Sequence, residues 1–314
     1  MFAAHPFLCT LGIILLLVLI ITVVGYLIGF QSPRGWQLDP YKTVPNGKGT
    51  VAAPIQESMH KSEALPYEAV EIVSRDGLTL RGKYYHIADG APLDIFFHGY
   101  RGNSLIEFSG RSKVSMNLGH NVLLIDQRAH MQSGGRTICY GIKERYDAES
   151  WINYALSRFG DELEINLIGE SMGAATVLMA SGLDLPENVK HIIADCPYSS
   201  PVKVIKNTIK DAHFPPDLLF PFARLAALIF GGADLRAVTA AEAVKTNSIP
   251  ILIIHGDADT FVPTVMSEEI YEAAPDHITR VLFPGAQHAG SFWSDPERYT
   301  KLMTDFLTDA DSAV

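Results

Sequence analysis

Leu163-Glu164-Ile165-Asn166-Leu167-Ile168-Gly169-Glu170-Ser171-Met172-Gly173-Ala174-Ala175 decides how this chain is read. Apolar Ile165, Leu167 and Ile168 predict a buried strand of a parallel sheet, and the small and apolar residues 174–180 predict a helix. Between them Gly169-Glu170-Ser171-Met172-Gly173 has the form G-x-S-x-G. A strained strand-to-helix turn needs small neighbours, because Cβ atoms there would clash with the adjoining strand and helix. Such a turn lifts the Ser171 hydroxyl clear of the sheet. It also sets the N–H of Met172 at a helix N-terminus, where it can face a developing oxyanion. The plainer alternative is a serine that only caps the next helix; the flanking strand and helix favour the turn.

The 314 residues, 47% hydrophobic and 19% charged, suit one α/β domain with an appendage. A net charge of −10 and the lack of Lys/Arg clusters argue against nucleic acid as a partner. The three cysteines, Cys9, Cys139 and Cys196, make neither a disulfide framework nor a metal site. Nothing in the sequence signals a metal or organic cofactor.

The appendage is residues 1–30. Residues 7–30 carry no charge, and 13–21 are purely aliphatic. As a helix they would extend about 36 Å, enough to cross a hydrocarbon core of about 30 Å. A cleaved signal peptide is the rival, but its apolar region is shorter and follows basic residues. The expectation is an uncleaved single-pass anchor that makes the membrane a partner. Arg34, Lys42 and Lys48 after the span weakly favour a cytoplasmic domain. Residues 31–66, with five prolines and three glycines, read as a linker with a short helix near 56–64.

Residues 67–314 read as the folded domain. Strand-like runs at 69–74 and 78–86 flank the turn signal Arg75-Asp76-Gly77. Strands then read at 93–97, 122–126, 165–168, 191–194, 251–255 and 280–283. Helices read at 106–118, 144–159, 174–181, 265–274 and 296–307. A hairpin followed by alternating units predicts an antiparallel start to a mostly parallel twisted sheet with helices on both faces. Residues 197–248 interrupt the rhythm, because about fifty residues is long for such a connection. They read as a small helical cap over the carboxyl ends of the strands, where open α/β sheets bind ligands. The apolar run 218–230 suits either an acyl-binding surface or simple packing of the cap.

A serine hydroxyl needs a base to become a nucleophile, and the base needs an orienting carboxylate. Strand 251–255 runs into a loop with Asp257 and Asp259, and strand 280–283 into a loop with His288. Ser171, an aspartate and His288 thus follow in the order Ser…Asp…His.

From about residue 70 to 307 the chain resembles an α/β-hydrolase-fold serine hydrolase, in particular the membrane-anchored bacterial branch. Four motifs carry the resemblance: Phe97-His98-Gly99-Tyr100, Asp126-Gln127-Arg128-Ala129-His130, Gly169-Glu170-Ser171-Met172-Gly173 and His255-Gly256-Asp257-Ala258-Asp259-Thr260-Phe261-Val262-Pro263. It implies Ser171 as nucleophile, His288 as base and Asp259 as triad acid, with Tyr100 and Met172 N–H groups as the oxyanion hole. Asp257 is then expected to shape its loop, His98 to brace the oxyanion turn and His255 to be structural. Asp195, also at a strand end, is the alternative acid. Met131 stands where the D-x-R-x-H-G-x-S pattern has glycine, which leaves that loop's geometry open. The implied substrate is a small-molecule or lipid-like carboxylic ester or a thioester. A serine peptidase or amidase on the same fold is the alternative, and a non-catalytic scaffold the third reading.

Overall fold

The computed structural model describes residues 6–32 and 52–308. Most of the expected linker, residues 33–51, lies outside them. Helix α1 (Pro6–Gly29) is followed by α2 (Ala52–Glu63), which begins four residues earlier than the sequence suggests. Strands β1 (Glu68–Val73) and β2 (Thr79–Tyr85) form the antiparallel hairpin. Its turn is closed by Ser74, which accepts from the Leu78 N–H and donates to Asp76.

Six further strands complete one sheet: β3 (Leu93–Phe97), β4 (Asn121–Asp126), β5 (Ile165–Glu170), β6 (Val189–Asp195), β7 (Ile251–Gly256) and β8 (Ile278–Phe283). The order is β1-β2-β4-β3-β5-β6-β7-β8, parallel from β4 onward. Strands β3, β5 and β7 are buried at every position, which explains their unbroken apolar runs.

Two cores result, one on each face. One gathers Leu167, Trp151 and Leu178 with helices α5 (Glu144–Phe159) and α6 (Met172–Ala180). The other gathers Phe96, Phe108 and Tyr299 with α3 (Ser104–Phe108), α4 (Arg111–Asn117) and α12 (Pro296–Thr308). The single helix expected at 106–118 is thus two. The break falls at Gly110, where a Cβ would stand 2.3 Å from the Phe292 ring. That ring belongs to α11 (Ser291–Ser294), nearly two hundred residues away in sequence.

Residues 197–248, expected to form the cap, hold α7 (Pro201–Asp211), α8 (Pro216–Ala226), a π-helical turn (Ala227–Gly231) and α9 (Ala240–Ala243). Ser200 caps α7 by accepting from the Val202 N–H. Helix α10 (Val265–Ala273) connects β7 to β8 and packs against both.

Helix α1 is apolar all round, and its outer turns are uncovered. Leu15, Leu16 and Leu19 are all more than half exposed. It is long and apolar enough to cross a membrane. Its carboxyl end belongs to the folded domain. Tyr26 and Phe30 join the larger core, and the Ile138 N–H donates to the Phe30 carbonyl.

Candidate active site

Ser171 joins β5 to α6 with φ +53° and ψ −111°. This conformation costs a non-glycine residue on the order of 1–3 kcal/mol and persists only where its surroundings impose it. Here they do. The Ser171 N–H donates to the Asp195 carbonyl at 2.8 Å, and the Ala175 N–H donates to the Ser171 carbonyl. The flanking glycines are sterically required. A Cβ on Gly173 would lie 1.8 Å from the Phe97 carbonyl oxygen, and one on Gly169 2.4 Å from the Gly173 carbonyl carbon. The start of α6 is therefore pressed onto the end of β3.

The residues singled out from the sequence converge. His288 Nε2 lies 2.9 Å from Ser171 Oγ, and its Nδ1 lies 2.7 Å from Asp259 Oδ2. With a carboxylate as partner, Nδ1 carries the proton and Nε2 is left to accept from the serine. The Asp259 carboxylate is buried, which alone would raise its pKa. Hydrogen bonds from His255, His288 and the Val262 N–H outweigh this and hold it well below the usual carboxylate range. Its Oδ1 accepts from the N–H groups of Phe261 and Val262, both at 2.9 Å.

The alternative acid is engaged elsewhere. Asp195 accepts from Arg111 at 3.1 Å and from Ser291 at 3.3 Å. Asp257 shapes its loop by accepting from the Gly285 N–H at 2.6 Å.

Tyr100 lies just past β3, in a turn pinned on both sides. His98 donates from Nδ1 to the Gly99 carbonyl at 2.9 Å and accepts the Gln127 N–H on Nε2 at 3.0 Å. His130 accepts the Arg101 N–H on Nε2 at 3.0 Å and donates from Nδ1 to the Arg128 carbonyl at 2.8 Å. Burial keeps both imidazoles neutral, His130 with its pKa pushed down to about 4. Met172 opens α6 beside this turn, because Gly173 abuts both Phe97 and His98. Met131 takes the left-handed conformation (φ +43°) that glycine would accept more easily.

Four features had no clear signal in the sequence. Arg111 lies buried beneath the turn, paired with both Glu170 and Asp195. Glu170 was visible only as a charged residue inside the pentapeptide. His255 Nε2–H points between Asp259 Oδ2 and the Val262 carbonyl, so it adds a second donor to the carboxylate. The Phe261 ring packs edge-on against His288, with centroids 4.9 Å apart.

Cys196, Asp259 and His288 have donor atoms within 4.8 Å of one another. They do not make a metal centre as arranged. Asp259 and His288 already bond each other, and burial keeps the Cys196 thiol protonated by raising its pKa well above the ordinary value.

Comparison with known proteins agrees with the architecture. Residues 95–230 match the family model of the alpha/beta hydrolase fold. The uncharacterized protein YqkD of Bacillus subtilis is 29% identical over 248 residues, covering 78% of this chain and 80% of that one. The thiohydrolase aneE of Aspergillus aculeatus is 30% identical over 139 residues, 43% of each chain. Among solved structures, the Pyrococcus furiosus esterase Pf2001 superimposes with a TM-score of 0.65 at 23% identity, covering 79% of this chain and 92% of that one. The strand order, the strained serine turn and these likenesses lead to one assignment: the chain has the α/β-hydrolase fold.

Proposed function

We propose that this protein is a serine hydrolase of carboxylic esters, held at a membrane by α1 and working through an acyl-enzyme on Ser171. The observation that carries the reading is the 2.9 Å contact between Ser171 Oγ and His288 Nε2, with Asp259 behind the ring at 2.7 Å. In the proposed reaction Ser171 Oγ attacks the ester carbonyl while Nε2 takes its proton, and Asp259 stabilises the resulting imidazolium. The N–H groups of Met172 and Tyr100 receive the oxyanion. His288 then protonates the departing alcohol. Water, deprotonated by the same imidazole, releases the acid and restores the serine. The esterase and thiohydrolase named above support oxygen esters and thioesters as the substrates to try first.

Ser171→Ala is expected to abolish hydrolysis of short-chain p-nitrophenyl esters and labelling by a fluorophosphonate probe, with the fold unchanged by circular dichroism. Full retention of either would refute the assignment of the nucleophile.

A further inference from the structure

The outer face of the cap is apolar and, among the described residues, largely uncovered. Phe214, Leu218 and Ile229 are 59%, 63% and 60% exposed, and Leu228 and Phe230 are exposed as well. On the inner side of the same segment Phe220, Ala223, Ala226 and Ala227 are buried. A helix that is apolar on both faces needs a second apolar neighbour.

Helix α1 identifies that neighbour. It packs along α8, and Tyr26 in its last turns stacks on Phe230 with ring centroids 4.2 Å apart. Thr22, two turns before Gly29, is also buried. At 1.5 Å per residue the domain therefore flanks α1 to a depth of about 10 Å from its end. Interfacial helices bury their apolar faces to about 5–10 Å. Charges at the cap's rim, such as the exposed pair Lys206–Asp217 at 2.6 Å, suit the headgroup layer.

We infer that the outer face of the cap is seated in the headgroup–acyl boundary of the membrane spanned by α1, and that the Ser171 site takes acyl esters held in that leaflet. The substrate half rests on the hydrolase reading above. The site lies between cap and helix end. Asn207 of α7 donates to the Phe261 carbonyl at 3.0 Å, and the Phe261 ring, itself 40% exposed, covers His288. On the other side the Tyr100 hydroxyl donates to the Gly29 carbonyl at 3.1 Å.

Two measurements test this on the full chain in liposomes. In a Cys9→Ser, Ser171→Ala background, Leu218→Cys, Ile229→Cys and, as a control, Glu187→Cys are labelled with an environment-sensitive NBD dye. Glu187 is exposed just before β6, at the opposite end of the sheet. Lipids spin-labelled on the acyl chain should quench the dye at 218 and 229 and leave it bright at 187. Equal brightness at all three positions would overturn the proposed seat.

In the chain with Ser171 intact, Leu218→Asp combined with Ile229→Asp should lower kcat/KM about tenfold for an ester embedded in vesicles, because two apolar contacts with the interface are lost. Hydrolysis of soluble p-nitrophenyl acetate should be unchanged. No loss on the embedded ester would overturn the substrate half. Quenching at 218 and 229 with neither ester hydrolysed by the unmutated chain would refute the hydrolase reading and leave the seat standing.

Discussion

His130 and Arg101 are joined through the backbone: the imidazole Nε2 accepts the Arg101 N–H at 3.0 Å. The bond holds one side of the turn that carries Tyr100, and His98 holds the other through the Gly99 carbonyl. The two rings meet edge to face, with centroids 4.7 Å apart. Each acts as an acceptor on one nitrogen, so each must stay neutral for the turn to hold its shape.

That requirement makes stability depend on pH. Burial lowers the His130 pKa to about 4, against about 6.5 in an unfolded chain. Between those values the unfolded chain binds a proton that the folded chain refuses. Stability is therefore lost as pH falls from about 6.5 toward 4, by about 3 kcal/mol for this residue. His98 acts in the same direction. The buried carboxyls of Asp126 and Asp147, both raised to about 6, act oppositely. A comparison with His130→Gln isolates the one residue. Denaturant unfolding at pH 7.5 and 4.5 should show a lower stability for the variant at pH 7.5 and a smaller fall between the two. Equal falls would remove His130 as a cause.

Asp259→Asn keeps the shape of the side chain but removes the charge opposite His288 Nδ1. The expected result is a drop in kcat of roughly 10³–10⁴, since the amide can stabilise the wrong tautomer and cannot balance an imidazolium. Steady-state kinetics on a p-nitrophenyl ester reads this directly. A loss below about tenfold would remove Asp259 as the orienting acid of His288.

Arg111 is buried and answers two carboxylates, Glu170 and Asp195. Burial disfavours its charge, and the two acids more than restore it, so its pKa lies well above the ordinary value. Arg111→Met would leave both acids without their cation. Breaking a buried pair in this way typically costs about 3–5 kcal/mol. Chemical denaturation should show a loss in that range, and a loss under about 1 kcal/mol would mean that water had taken the guanidinium's place.

Gly173→Ala adds a single methyl where the Phe97 carbonyl oxygen stands. Neither β3 nor α6 can move without disturbing the sheet. The variant is expected to lose more than about 4 kcal/mol or to fail to fold, judged by soluble yield and thermal unfolding. A stable, active Gly173→Ala chain would show that the contact between β3 and α6 is looser than described.

The inner strands β3, β5 and β7 were legible in the sequence because each is a short apolar run covered on both faces, and the ends of the strands then located Ser171, Asp259 and His288. The break between α3 and α4 was not, because the Phe292 ring packed against Gly110 at that point is remote in sequence. The same holds for Arg111: nothing in Arg111-Ser112-Lys113 announces that its cation lies beneath a serine sixty residues on. His255 was legible as structural, but its bond to Asp259 depends on how the loop 257–263 folds back over the strand end. At Met131 the sequence departed from its pattern and the backbone did not, since the residue adopts the glycine-like conformation.

The Gly29 carbonyl receives two phenols, from Tyr100 at 3.1 Å and from Tyr140 at 2.8 Å, and the Arg101 guanidinium caps the Ile28 carbonyl at 2.7 Å. Helix α1 thus ends as a keystone rather than a leash. A shortened form that starts at α2, the usual route to a soluble sample, would strip the donors on Tyr100, Tyr140, Arg101 and Ile138 of these acceptors and take two aromatic rings out of the interior in one cut. Trimming that stops upstream of Thr22 keeps the keystone in place.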